Sequence, residues 1–213
     1  MKYFCCDTAL NEEYTLINLM QQFPKYTSVF EGTEDEKIWD AAPWLFELNN
    51  NPYNLKGQPL IQMDHCIVFE TKEPIKNILD YLQSKIYIKE NGQNRFFRIW
   101  DARVLLKHIP QWSAAQIQDF FSVFTCFYTE SAEEGLLDKW QWNGGNKIHC
   151  IKILKSEALP HIKSEEELDR EFEEGKASTK KEEGNLPIKE ENTDPEIEKK
   201  NEEKPGRRKF FMD

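Results

Sequence analysis

Phe96-Phe97-Arg98-Ile99-Trp100-Asp101-Ala102-Arg103-Val104-Leu105 changes character half-way along. Phe97 and Ile99 alternate with Phe96, Arg98 and Trp100, the period of two expected of a strand. From Ala102 to His108 the residues suit a helix. Asp101 stands at the N-cap, where a carboxylate accepts hydrogen bonds from the N–H groups of the next turn. Arg98 and Arg103 bracket it, so an Arg98–Asp101 or Arg103–Asp101 pair would pin this strand–helix corner with a charge-assisted bond. The corner is either structural or presents Trp100 or Arg103 to a partner. Just upstream, runs 86–89 and 95–99 flank Glu90-Asn91-Gly92-Gln93. Asn-Gly between two such runs marks a β-hairpin, because both residues tolerate the positive φ of its tight turn.

Outward from the corner the elements do not alternate regularly. Residues 3–7 read as a short buried strand and 11–22 as a helix with Pro24 just beyond it. Residues 33–42 read as a short helix stopped by Pro43, and 44–48 as a strand followed by an Asn- and Pro-rich loop over 49–59. Residues 65–70 form a strand, and Ile75, Ile78, Leu79 and Leu82 give a helical stripe over 73–84. Helices 102–108 and 113–121 are separated by Pro110, with Ser113 as an N-cap. Strands 125–129, 137–142 and 147–154 close the series, with Asn143-Gly144-Gly145-Asn146 as the turn between the last two. The predicted fold is α+β: a single mixed or antiparallel sheet with packed helices.

Composition changes near residue 160. Residues 164–213 hold 17 acids and 11 bases, net −6, against −4 for the first 163 and −10 for the chain. They contain no Trp, Tyr or Cys, and too little apolar surface to offset their ordering entropy. The expected organisation is one domain over 1–160 and a charged, mostly disordered tail over 161–213. A short helix over 164–174 opens the tail, where Ser164 starts a capping box and Leu168 shares a face with Phe172. The tail ends in a basic–aromatic cluster, Arg207-Arg208-Lys209-Phe210-Phe211.

An acidic chain lacks the basic footprint that holds a phosphate backbone, so nucleic acid is not expected as a partner. No apolar run approaches the ~18 residues of a membrane span, and no signal-peptide pattern opens the chain, so a cytoplasmic location is expected. The five cysteines (Cys5, Cys6, Cys66, Cys126 and Cys150) form no Cys-x-x-Cys and read as free thiols. No nucleophile elbow, phosphate loop or His-Glu-x-x-His occurs, and the four histidines (His65, His108, His149 and His161) are scattered. No catalytic set, metal site or cofactor is expected.

Five pieces of the chain, in order, resemble a family of bacterial type VI secretion effector adaptors, or chaperones, whose domain was long labelled as of unknown function. The corner resembles its F-R-[YFW]-[DY]-P-R-V-L signature. Asp7-Thr8-Ala9 resembles its opening L-D-A-A element, and Phe30-Glu31-Gly32 with Ala41-Ala42-Pro43-Trp44-Leu45 resembles L-F-x-G … A-P-Y-L. Residues 65–82 resemble its next strand and helix, and Ser113 to Phe121 its T-x-x-Q-x-x-x-F-F helix. Ala102 stands where the family has Pro, and Trp44 where it has Tyr. The resemblance implies a non-catalytic adaptor that binds a secreted effector protein and helps load it onto the VgrG-type spike protein or its tip. Trp39, Trp44, Trp112 and Trp140 are candidate contacts, since Trp is enriched at binding hot spots. A toxin-binding immunity protein is the alternative, its negative charge steering a basic toxin. An enzyme with an unrecognised site is the third reading.

Overall fold

The structure is a computed structural model, and it describes residues 1–11, 13–90, 93–145 and 147–160. The Asn91-Gly92 turn dipeptide, Asn146, His161, the 164–174 helix and the rest of the 161–213 tail lie outside the described residues.

The strands are β1 (Lys2–Asp7), β2 (Tyr26–Ser28), β3 (Pro43–Glu47), β4 (Ile67–Glu70), β5 (Tyr87–Glu90), β6 (Gln93–Phe96), β7 (Cys126–Glu130), β8 (Leu136–Trp142) and β9 (Ile148–Leu154). The α-helices are α1 (Glu13–Gln22), α2 (Ile75–Lys85), α3 (Ala102–His108), α4 (Ala114–Val123) and a single turn, α5 (Lys155–Ala158). Seven strands make one antiparallel sheet in the order β2-β3-β1-β4-β7-β8-β9. Strands β5 and β6 form a separate antiparallel ribbon. The α+β class is as the sequence predicts.

Helices and loops cover both faces of the central strands, which explains the uninterrupted apolar run Tyr3-Phe4-Cys5-Cys6 in β1, while β9 at the edge is largely exposed. Successive side chains of a strand point to opposite faces. Tyr3 and Cys5 therefore join a core with Leu45, Ile67, Phe69 and Phe127, roofed by Ile78 and Leu82 of α2, Leu105 of α3 and Phe120 of α4. Phe4 and Cys6 join the opposite core with Phe46, Val68 and Tyr128, roofed by Leu16 and Leu19 of α1 and by Tyr53, Leu55 and Met63 from the 49–63 loop. In the first core Phe69 stacks on Phe124, ring centroids 4.5 Å apart, and Phe120 meets Phe127 edge-on at 5.7 Å.

Several boundaries differ from those read in the sequence. The 34–41 segment, Glu34–Ala41, is 3₁₀-helical with a kink at Ile38 (φ −103°, ψ 42°), and is capped by Thr33, whose hydroxyl accepts from the Asp35 N–H. Strand β2 has no counterpart in the sequence pattern, because three residues are too few for a period of two to show. A 3₁₀ turn, Pro52–Leu55, sits inside the loop that follows β3. The second hairpin strand ends at Phe96 rather than Ile99. One further bond, from Phe97 N–H to the Ile86 carbonyl at 2.7 Å, closes the ribbon, and the chain then turns to bury Phe97, Ile99 and Trp100. Helix α4 has the full capping box read in part from Ser113. The Ser113 hydroxyl accepts from Gln116 N–H at 3.3 Å, and the Gln116 side chain accepts from Ser113 N–H at 2.9 Å.

Candidate functional site

The end of β1 and the start of α3 meet at one buried polar corner. Asp7, the last residue of β1, is 5% exposed. Its Oδ2 accepts from Arg98 Nε at 3.0 Å, from Arg98 Nη2, and from the Trp100 indole N–H at 2.8 Å. Its Oδ1 accepts from Ala9 N–H at 3.0 Å. Trp100 is 1% exposed and meets Phe30 and Phe96 edge-on, ring centroids 6.0 and 5.9 Å apart. Its N–H thus has its acceptor in a place that water cannot supply.

Asp101 is the N-cap of α3, as the sequence suggests. Its carboxylate accepts from Arg103 N–H at 3.0 Å, Arg103 Nε at 3.2 Å and Arg103 Nη2 at 2.8 Å. Burial pushes the Asp101 carboxyl up, but the hydrogen bonds from Arg103 and the charges of Arg103 and Arg98 outweigh it and hold the group below its ordinary value. Of the two pairs weighed for Asp101, the structure forms the Arg103 one. Arg98 reaches back to Asp7 instead. Two arginines and two aspartates are therefore matched one to one.

Asn11, fully buried, ties the corner to the 60–66 loop. Its Oδ1 accepts from Asp64 N–H at 2.5 Å, and its Nδ2 donates to the carbonyls of Asp7 at 3.0 Å and Asp64 at 3.1 Å. Next to it His65 takes a left-handed backbone, φ 59°, uncommon for a residue with a Cβ. The His65 carbonyl accepts from Ala102 N–H at 3.0 Å. Proline has no N–H, so this bond is one that a proline at position 102 could not make.

The tryptophans occupy separate places. Trp39 is 50% exposed, on the 3₁₀-helix. Trp44, on β3, is half-buried and donates its indole N–H to the Trp39 carbonyl at 3.2 Å. Trp140, on β8, stacks on Phe127, 7° from parallel at 6.0 Å, and donates to Thr129 Oγ1 at 3.1 Å. Strands β3 and β8 are four places apart in the sheet, which at ~4.8 Å per strand separates Trp44 from Trp140 by about 19 Å. Trp112 packs on Phe120 at 5.3 Å and lines a groove of about 310 Å³ with Tyr81, Ile88, Phe97 and His108. These four residues therefore do not compose one continuous surface. Trp100 is interior, so the corner does not present it to a partner.

Sequence reasoning did not find Asp7 and Asn11 as partners of the corner. The signal was an acid directly after an apolar strand, but its partners lie 91 and 93 residues away. Among the described residues no group of three or more His, Cys, Asp or Glu side chains is placed to hold a metal ion. Cys5 and Cys66 are buried thiols, and burial raises Cys5, while a hydrogen bond with Cys6 and burial raise Cys66.

These features define an α+β domain whose signature residues are spent on an internal polar corner. A known family, described as "Domain of unknown function (DUF4123)", matches residues 5–119, and the chain belongs to it. The match runs from β1 into α4, so it contains both halves of the corner, and β7 to β9 complete the sheet from beyond it. No curated protein and no solved structure matches the chain. Among the described residues no helix is long and apolar enough to cross a membrane.

Proposed function

We propose that this chain is a non-catalytic cytoplasmic adaptor that binds a type VI secretion effector and helps load it onto the VgrG-type spike. The observation that carries this reading is the family match over residues 5–119, a span that contains four of the five motif pieces resembling effector adaptors and all but the last two residues of the fifth. The corner supports a scaffolding use of those motifs. Arg98, Asp7, Asp101 and Arg103 each have their partner within the domain, so these ionisable groups stabilise the junction of β1 and α3. Exposed aromatic side chains such as Trp39 and Tyr26 supply area of the kind that protein interfaces use. No cofactor, nucleic acid or membrane enters the proposal.

The test is affinity capture of the tagged chain from its native host, with the bound proteins identified by mass spectrometry. An adaptor recovers an effector together with spike components. The net charge of −10 gives the immunity reading its one support, and that reading predicts an effector domain alone, with its toxicity blocked. Recovery of neither overturns the proposal.

A further inference from the structure

The surface beside the sheet edge at β2 combines features that the corner does not explain. A groove of about 390 Å³ runs between β2 and the 34–41 helix and is lined by Tyr26, Glu31, Glu36, Trp39 and Trp44. Two of its rings, Tyr26 at 42% and Trp39 at 50%, are exposed. Exposed rings gathered in one concave place mark contact surfaces more often than scattered ones do.

Two of the rings pack on each other, and the backbone that carries the third is fixed. Tyr26 meets Trp44 edge-on at 5.9 Å, and the Trp44 indole fixes the Trp39 carbonyl at 3.2 Å. The carboxylates are also held. Glu31 accepts from Thr27 Oγ1 at 2.6 Å, and Glu36 accepts from Gly32 N–H at 3.2 Å. The 34–41 segment also carries Glu34, Asp35 and Asp40, with Lys37 as its one base, and Asp35 accepts from the Tyr87 phenol at 2.7 Å. None of the ion pairs among the described residues involves these five carboxylates. The groove therefore combines exposed aromatic faces with negative charge that no ion pair among the described residues neutralises.

We infer that this groove docks an arginine-bearing peptide segment of the protein partner. A guanidinium is the side chain that fits both features: it stacks flat on an indole or phenol ring while its N–H fork bonds carboxylates. A lysine ammonium satisfies the charge but not the planar stacking, and a carboxylate is repelled. The inference rests on reading the chain as a protein-binding adaptor, and it names the chemistry of the segment bound at this edge.

The test uses the full chain and three fluorescein-labelled pentapeptides, identical except that the two charged positions are Arg, Lys or Glu around a central Phe. Fluorescence anisotropy is expected to rank them Arg, Lys, Glu, with binding weakened by salt. Trp39→Ala is expected to weaken the Arg peptide by about thirtyfold, the size of a hot-spot truncation. The double change Glu31→Gln with Glu36→Gln is expected to weaken it by about tenfold, as loss of charge-assisted bonds would. Trp39 is exposed and contributes its backbone carbonyl to Trp44, so both variants should melt as the parent does, and the melt is measured alongside. No binding of the Arg peptide at millimolar concentration, equal binding of the Glu peptide, or an unchanged affinity in Trp39→Ala overturns the inference. Failure here is separable from failure of the adaptor reading. If the parent chain and Trp39→Ala both capture effector and spike equally, the groove inference fails and the adaptor stands. If the peptide ranks as expected while capture yields neither protein, the groove stands and the adaptor fails.

Discussion

Replacing Asp7 with alanine should be the most damaging single change at the corner. The substitution removes four hydrogen bonds at once: two from Arg98, one from the Trp100 indole and one from Ala9 N–H. Trp100 is 1% exposed, so its N–H is left unpaired where water cannot reach, at a cost of about 1–3 kcal/mol. Arg98, 27% exposed, is left as a largely buried cation without a counter-charge. Breaking a buried pair by removing one partner costs about 3–5 kcal/mol, and the indole penalty overlaps it rather than adding in full. The expected loss is therefore about 3–5 kcal/mol, a large part of the ~5–15 kcal/mol that holds a domain folded. At ~2–4 °C per kcal/mol for a chain of this size, the melting temperature should fall by about 6–20 °C. Urea unfolding followed by circular dichroism measures the free energy directly. Asp7→Asn, which keeps an oxygen acceptor for the indole, should lie between the parent and Asp7→Ala. If Asp7→Ala unfolds at the parent's midpoint, or loses less than Asp101→Ala, the corner is not the buried network described above.

Three further outcomes follow from the same geometry. Asp101→Ala loses an N-cap, worth ~1 kcal/mol, and a pair to Arg103, which is half exposed and screened, so it should cost about 1–2 kcal/mol in the same urea assay. Because the folded Asp101 carboxyl sits below its ordinary value, the unfolded chain takes up its proton first. This contribution should be complete above the usual carboxylate value of ~3.9 and vanish as pH falls through the lower folded value. Acid titration of Asp101→Asn against the parent should show the parent losing more stability below pH ~4, and parallel curves would contradict the assignment. A thiol reagent should find Cys150 accessible in the native chain and the other four cysteines only on unfolding, with Cys150 reacting faster as pH rises because burial lifts its thiol. Rapid native modification of Cys5 or Cys6 would mean that β1 is not buried on both faces.

The parts of the fold readable in the sequence were those set by neighbours a few residues apart. Helix α3 begins and ends where the Asp101 cap and the residues to His108 place it. The capping box at Ser113 and the β-ribbon around residues 86–96 are equally local signals. Strand β1 was visible because burial on both faces makes it apolar throughout. What the sequence hid was pairing across distance. From spacing alone Asp101 was the natural partner of Arg98, three residues away. The sheet instead brings Asp7 to Arg98, and no periodicity encodes a contact 91 residues apart. The same holds for Asn11, which reads as a helix start and in fact clamps the backbone at Asp64. Strand β2, the groove beside it and the exposure of Trp39 depend on the 34–41 helix lying next to the sheet edge, a tertiary relation without a local signature.

The central claim is that the chain serves export of a protein rather than catalysis or protection, and deletion of its gene in the native host tests this most directly. Effector and spike protein are quantified in the medium, and survival beside toxin-delivering siblings is scored in parallel. An adaptor predicts that one effector disappears from the medium while spike secretion persists and survival is unchanged. Undiminished effector export with loss of survival would contradict the account and place the chain among toxin-binding immunity proteins.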